Sequence, residues 1–249
     1  MSTTMKGAEV AKAMKETLIR EAEALKEKGI LPCLTIIRVG ARPDDLAYER
    51  GAKKRMELIG IECRVRELPE DISQREFEKE FQKINQDPSV HGILLFHPLP
   101  DHLDEKPVKS IIHPYKDVDC MSDVNIAKVF AGDETGFAPC TAEAVVRMLD
   151  HYGIDPKGRK VTVVGRSMVV GKPLAMLLLD RHGTVTLCHT RTADLEEECR
   201  KAQILVAAAG KAGMITEAMT GQDAVVVDVG INVDENGRLC GDVDFASID

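Results

Sequence analysis

The stretch "VVGRSMVVGKP", residues 163–173, joins a run of β-branched residues to a helical pattern through a glycine. Strand, glycine turn and helix in this order open a nucleotide-binding unit. The glycine lets backbone N–H groups approach a phosphate, and the helix N-terminus favours its charge. Gly165 and Gly171 are present without the full G-x-G-x-x-G spacing, so an ordinary packing joint stays open as the other reading of the turn alone. The flanking pattern is regular. "RKVTVVG" (159–165) reads as a strand, "VGKPLAMLLLDRHG" (170–183) as a helix and "TVTLCH" (184–189) as a strand. "TADLEEECRKA" (192–202) reads as a helix capped by Thr192, and "ILVAAAG" (204–210) and "DAVVVDVG" (223–230) as further strands. This β-α-β-α-β series predicts a Rossmann-type domain with a parallel sheet. "INVDENGRLCGDVDF" (231–245) then predicts a hairpin about Asn236-Gly237.

The first half also alternates strands and helices. A helix is expected over 7–29, ending at Gly29, and a buried strand at "CLTIIRVG" (33–40). A second helix from about Asp44 to Gly60, a short strand at "ECRVREL" (62–68), a helix over 73–86 and a buried strand at "HGILLF" (91–96) follow. Parallel βαβ units place ligands at the carboxyl ends of their strands. After the rigid "HPLP" (97–100) the pattern loosens, and residues 113–141 are rich in turns, with one short helical piece. A loose stretch of this length is usually functional or a domain connection. The expectation is an α/β protein of two domains, 1–138 and 139–249, with a helix from Thr141 to about His151 after the boundary near Pro139.

Composition narrows the function classes. Of the 249 residues 44% are hydrophobic and 30% charged, which suits a globular chain with sizeable cores. A net charge of −8 argues against nucleic acid or anionic membrane as the main partner, though not against an anionic ligand in a local basic pocket. The seven cysteines form no C-x-x-C pair, so reduced thiols are expected, with no disulfide framework and no zinc site. No apolar run approaches the ~18 residues of a membrane span, and the N-terminal stretch lacks the apolar core of a signal peptide. The cytoplasm is the default compartment.

The end of the second strand of the Rossmann-type half discriminates between coenzymes. An NAD site usually places an acid there for the ribose hydroxyls. Here the strand ends "LCHTRT", with His189, Arg191 and Thr192 and no acid, while Arg166 stands inside the first turn. Positive charge suits a 2′-phosphate, so NADP is favoured over NAD. The reading in which Arg191 only solvates a loop stays open.

"GRSMVVGKP", "TVTLCHTRT", "DVGIN" and "GDVDF", following "HPLP" and "KDVD" in that order, resemble the methylenetetrahydrofolate dehydrogenase/cyclohydrolase family. The resemblance covers almost the whole chain. It implies oxidation of 5,10-methylenetetrahydrofolate to 5,10-methenyltetrahydrofolate with NADP, followed in most members by hydrolysis to 10-formyltetrahydrofolate. It also implies a homodimer, with the site in a cleft between a catalytic domain and the Rossmann-type domain. Residue by residue, Tyr48 matches the tyrosine against the folate rings, and Asp119 matches the aspartate that hydrogen-bonds the pterin. Pro98, Leu99 and Pro100 match the folate-side turn, and Gly165, Arg166 and Ser167 the phosphate turn.

Three departures bear on the chemistry. The family's catalytic lysine lies four residues after the tyrosine, where this chain has Ala52; Lys53 and Lys54 lie about 100° and 200° further round an ideal helix. The glutamine that partners this lysine is replaced by Phe96, and the adjoining leucine by His97. Hydride transfer needs neither lost group, whereas hydrolysis needs protons moved, so the expectation is a dehydrogenase with weak or absent cyclohydrolase activity. His97 could act as a substitute base, although a packing histidine is the preferred reading. The usual bifunctional enzyme and a catalytically weak folate- or nucleotide-binding protein are the alternatives. In the family the chain continues past "GDVDF" with a Pro-Gly-Gly-Val-Gly-Pro-like loop and a final helix. This sequence ends at Asp249, and weaker binding of both ligands is expected if that end is genuine.

Overall fold

A computed structural model of the chain describes residues 3–235 and 237–248. The chain forms two compact units, described separately. The first comprises Ala8–Lys128 and Glu134–Phe137. The second runs from Ala138 onward and also takes in Val129–Asp133 and the segment ending at Gly7.

In the first unit the elements follow one another as α1 (Gly7–Glu27), β1 (Cys33–Val39), α2 (Pro43–Ile59), β2 (Glu62–Leu68), α3 (Gln74–Gln86), β3 (Gly92–Leu95), α4 (Lys106–Ile111) and α5 (Asp123–Ala131). α1 begins and α5 ends in residues of the second unit. β2, β1 and β3 form a parallel sheet in that order, with Ile36 opposite Val65 on one side and Leu94 on the other. The chain thus reverses direction across the sheet at β1, which places a ligand crevice at the carboxyl ends of β1 and β3. β1 is buried on both faces, with Thr35 and Arg38 buried among its apolar residues. α3 drives Phe77 and Phe81, both fully buried, onto β1 and β3 residues Ile37, Val39, Ile93 and Leu95. Its start is capped by Ser73, whose side chain accepts from Glu76 N–H.

α4 departs from the expected loose segment. Val108 within α4 and Leu103 and Ile112 on either side of it are buried in the same core, and this fixes the turn of helix.

The second unit continues with α6 (Cys140–His151), β4 (Lys160–Val164), α7 (Gly171–Asp180), β5 (Thr184–Cys188), α8 (Leu195–Arg200), β6 (Ile204–Ala207), β7 (Val225–Asp228), β8 (Asn232–Val233), β9 (Leu239–Cys240) and α9 (Phe245–Ile248). Its four-stranded parallel sheet has the order β5-β4-β6-β7, with Val163 opposite Leu187 and Val206. Here the direction reverses at β4. Ala142, Val146 and Leu149 of α6 and Leu174 and Leu178 of α7 close one core with Val161, Val163, Ile204 and Val206. β8 and β9 pair antiparallel, with Gly237 at φ 74 between them; Asn236 of the expected turn lies outside the described residues.

One expected cap is corrected. α8 starts at Leu195 with Asp194 in the cap position at φ 49 and no side-chain capping bond. Thr192 is not its cap, because its hydroxyl is already taken by His189 N–H at 2.8 Å.

Truncating Phe77 to alanine removes a fully buried ring at the centre of the first unit's core. It is expected to cost about 3–5 kcal/mol, measurable as a lowered urea midpoint.

Candidate functional site

The candidate residues fall into two groups, one in each unit. In the second unit Gly165 leaves β4 at φ 134, and a Cβ built on it would lie 2.0 Å from the Ala208 carbonyl oxygen. A Cβ on Gly171 would lie 1.9 Å from the Gly165 carbonyl oxygen. The turn and the loop after β6 are therefore in backbone-to-backbone contact that only glycine allows. Ser167 holds the turn: its hydroxyl accepts from Val170 N–H at 3.1 Å and its carbonyl accepts from Lys172 N–H at 3.0 Å. α7 starts here, with its positive end toward the turn.

Beside it, β5 ends in a tight turn. Thr192 N–H donates to the His189 carbonyl at 2.9 Å, and Arg191 N–H donates to His189 Nδ1 at 3.1 Å. His189 and Thr192 thus shape the turn, and Arg191 is left exposed on it. Val164 and Cys188 are paired in the sheet, so Arg166 and Arg191 follow neighbouring strand ends by two and three residues. Neither guanidinium has an ion-pair partner among the described residues. A cradle that a Cβ would fill, a helix N-terminus and two uncommitted guanidinium groups fit a dinucleotide carrying an extra phosphate.

The third wall of this cradle is held by a carboxylate. Asp242, fully buried, accepts from Ala209, Gly210 and Lys211 N–H at 2.6, 3.0 and 2.8 Å and from Asn232 Nδ2 at 2.8 Å. Asp228 in turn accepts from Asp242 and Val243 N–H. These roles lie behind the "DVGIN" and "GDVDF" motifs, whose sequence alone does not distinguish structural carboxylates from ligand-facing ones.

In the first unit Tyr48 sits in the second turn of α2, which begins at Pro43, and is 62% exposed. Buried Phe96 meets it edge-on, with ring centroids 5.3 Å apart. Phe96 was expected among the substrate-contacting residues, yet at 7% exposed it has little surface to offer and backs the tyrosine instead. Ala52 is half-buried and Lys53, Lys54 and Arg55 are exposed. Lys53 lies close enough to Cys63 to pull its thiol pKa down against burial, which pushes it up. α2 is anchored by Arg38, 5% exposed on β1, whose guanidinium donates to Glu49 at 2.7 Å, to Glu67 at 2.8 Å and to the Gly40 carbonyl.

Asp119 stands half-buried in a loop that its neighbour Asp117 organises. Asp117, fully buried, accepts from Met121 N–H at 2.8 Å, Ser122 N–H at 2.9 Å and Asn125 Nδ2 at 2.9 Å. The same loop bridges to β3, with Ile93 N–H donating to the Lys116 carbonyl. Two aspartates spaced by one residue are alike in sequence; the serine and asparagine five and eight positions after the first are the signal that marks it as the structural one.

Pro98, Leu99 and Pro100 follow β3, and the His97–Pro98 peptide bond is cis. Leu99 packs on the core of the first unit. His97, expected as a packing or supporting histidine, has a carboxylate partner. Its side chain is 41% exposed, and its Nδ1 lies 3.1 Å from Glu105 Oε2.

No group of three or more metal-ligating side chains exists among the described residues, and no described helix is long and apolar enough to cross a membrane.

Comparison with known proteins meets this geometry. The catalytic-domain model of the tetrahydrofolate dehydrogenase/cyclohydrolase family matches residues 5–119, and its NAD(P)-binding-domain model matches residues 139–249. The chain is 55% identical over 247 residues to the bifunctional protein FolD of Clostridium kluyveri, covering 99% of this chain and 87% of that protein. The crystal structure of the bifunctional FolD methylenetetrahydrofolate dehydrogenase/cyclohydrolase of Campylobacter jejuni superposes with a TM-score of 0.96 at 38% identity, covering 99% of this chain and 87% of that one. The Trypanosoma brucei enzyme, solved with NADP and an inhibitor, gives a TM-score of 0.92 at 34% identity, covering 99% and 87%.

Gly171→Ala is expected to weaken NADP binding by roughly tenfold or more, about 1.4 kcal/mol, because the new Cβ displaces the phosphate turn. Gly51→Ala, whose Cβ would meet nothing within 4 Å, leaves NADP binding unchanged in the same titration.

Proposed function

Because the chain belongs to the tetrahydrofolate dehydrogenase/cyclohydrolase family, we propose that it oxidises 5,10-methylenetetrahydrofolate to the 5,10-methenyl form with NADP and hydrolyses that product to 10-formyltetrahydrofolate. The observation that carries the reading is the glycine cradle at the end of β4 with Arg166 and Arg191 uncommitted beside it. NADP supplies the hydride acceptor at this cradle. Gly165, Ser167 and the α7 N-terminus take the pyrophosphate side, and Arg166 and Arg191 the 2′-phosphate.

On the folate side Tyr48 offers an exposed ring face, kept in place by Phe96 behind it and by the Arg38 anchor of α2. Asp119 accepts from the amino and ring N–H groups of the pterin, on a loop whose backbone is fixed by Asp117. Pro98, Leu99 and Pro100 border the same ligand. No protein acid or base is required for hydride transfer, since the folate nitrogen's lone pair drives the hydride out. The protein's contribution there is orientation and exclusion of water. A homodimer and a cytoplasmic location, implied by the resemblance and the composition, belong to this proposal.

Names of relatives such as the Clostridium kluyveri protein favour two activities over the single one expected from the sequence. The second reading, dehydrogenase alone, rests on one specific observation. Apolar Ala52 stands one turn after Tyr48, and buried Phe96 occupies the partner position, so the lysine–glutamine pair that moves protons in the family is replaced by hydrocarbon.

Rates of NADPH formation and of methenyl decay on one preparation separate the readings: enzyme-dependent hydrolysis is expected, and its absence beside a normal dehydrogenase rate overturns the bifunctional reading. Arg191→Ala is expected to erode the preference for NADP over NAD by about 1.5–3 kcal/mol, roughly ten- to hundredfold, read as the ratio of kcat/KM values.

A further inference from the structure

Hydrolysis by this chain must move protons without the family's lysine, so another group has to face the methenyl carbon. A titratable side chain on the folate side is His97, which follows Phe96 in sequence and lies near enough to Asp119 and Arg42 to feel their charges. Its surroundings are those of an oriented base. The carboxylate of Glu105 lies 3.1 Å from Nδ1, which fixes the proton on that nitrogen and leaves the lone pair of Nε2 directed away from the carboxylate. The other oxygen of Glu105 is bonded by Lys109, one turn further along α4.

The mount is rigid. Leu103, Val108 and Ile112 are buried in the core of the first unit on either side of Glu105. Gln74, at the start of α3, donates to the Asp104 carbonyl at 3.0 Å and accepts from Asp104 N–H at 2.8 Å. His102 bonds the Ile72 carbonyl at 3.0 Å. A base held through its second nitrogen by a braced carboxylate is the general arrangement for proton abstraction from water.

We propose that His97 and Glu105 form a histidine–carboxylate dyad in which His97 is the general base of the hydrolytic step and Glu105 its positioning residue. This rests on the bifunctional reading above. His97 Nε2 takes a proton from water as the water oxygen bonds to the methenyl carbon, and the carbon–nitrogen π pair returns to the cationic amidine nitrogen. The imidazolium then gives that proton to N5 as the C–N5 bond breaks. The remaining hydroxyl proton leaves to solvent as the formyl carbonyl forms, so the reaction consumes one water and releases one proton.

Four charged groups act on His97: Glu105 and Asp119 raise its pKa, and Lys109 and Arg42 lower it. Burial against the surrounding protein is the largest influence, and the net direction is below the ordinary histidine value. That direction favours the neutral imidazole, the form a base needs.

The test compares wild type, His97→Ala, His97→Gln, Glu105→Gln and Lys53→Ala, each assayed for hydrolysis (corrected for the uncatalysed rate) and for NADPH formation. For both His97 variants the ratio of hydrolysis to hydride-transfer rate is expected to fall by about 10²–10⁴-fold. Added imidazole is expected to restore part of it in His97→Ala. The wild-type kcat/KM for hydrolysis should rise with pH through the lowered His97 pKa and then level off. Glu105→Gln removes a group that raises that pKa, so the rising limb moves to lower pH while the plateau falls; a merely structural glutamate would lower the plateau without moving the limb. A wild-type ratio in both His97 variants, or its loss in Lys53→Ala instead, overturns the dyad and leaves the bifunctional reading intact. No hydrolysis by wild type, beside a normal dehydrogenase rate, overturns both.

Discussion

Asp117 and Asp242 are both fully buried, and each applies its charge to the backbone N–H groups of a loop at the carboxyl end of a sheet. The rest of the functional architecture depends on this interaction. Loops that carry ligand-binding groups lack the ladder bonds of strands and helices, yet their buried N–H groups need acceptors as much as any others. A carboxylate can accept several of them at once, in bonds stronger than neutral ones. The N–H donors in turn replace the water that the buried charge has lost. Asp117 in this way sets the path of the chain through Asp119, and Asp242 sets the loop whose Ala208 carbonyl touches Gly165. The Asp119 loop and the loop touching Gly165 are thus each held by a buried acid beside them.

The order of strands and helices was legible because each element carries its own periodicity. β1 and β4 are rich in buried β-branched residues, α3 shows a stripe that includes Phe77 and Phe81, and glycines stand at the turns. The glycine turn was legible for the same reason, since Gly165 and Gly171 have no side chain to be mistaken for anything else. What could not be read depends on contacts between residues distant along the chain or alike in type. α4 is six residues long with one buried residue, Val108, too little periodicity to stand out from a loop. Thr192 precedes an acidic helical run and has a capping residue's chemistry, but its hydroxyl is taken by the turn it closes. Phe96 could be recognised as a replacement for a polar residue, though not as the backing of Tyr48, since 48 residues separate them in sequence and one ring contact joins them in space. His97 and Glu105 flank a proline turn that hides their pairing.

The two half-reactions ask different things of a protein. Hydride transfer asks for positioning, and within each unit buried carboxylates, close-packed glycines or an arginine-anchored helix fix the local backbone without any group changing its protonation state. Hydrolysis asks for a proton acceptor near neutrality, which is a property of one side chain and its immediate neighbours. The framework can therefore persist while the acceptor is exchanged. Phe96 stands against the ring of Tyr48, and His97 follows it directly in sequence.

The backbone contact among Gly165, Gly171 and the Ala208 carbonyl has a consequence for how such a site diversifies. It constrains the path of the turn through backbone atoms, with the Ser167 hydroxyl pinning it at Val170 N–H, so exposed Arg166, Met168 and Val169 are carried on that path without holding it. On the proposed reading, discrimination between coenzymes would reside in a few outward side chains, and room for a dinucleotide in two positions where a Cβ would clash. Drift can retune the first property in single steps, each leaving a foldable and binding-competent protein. The second admits no intermediate, which makes the glycines the slow-changing part of the site and the arginines the adaptable part.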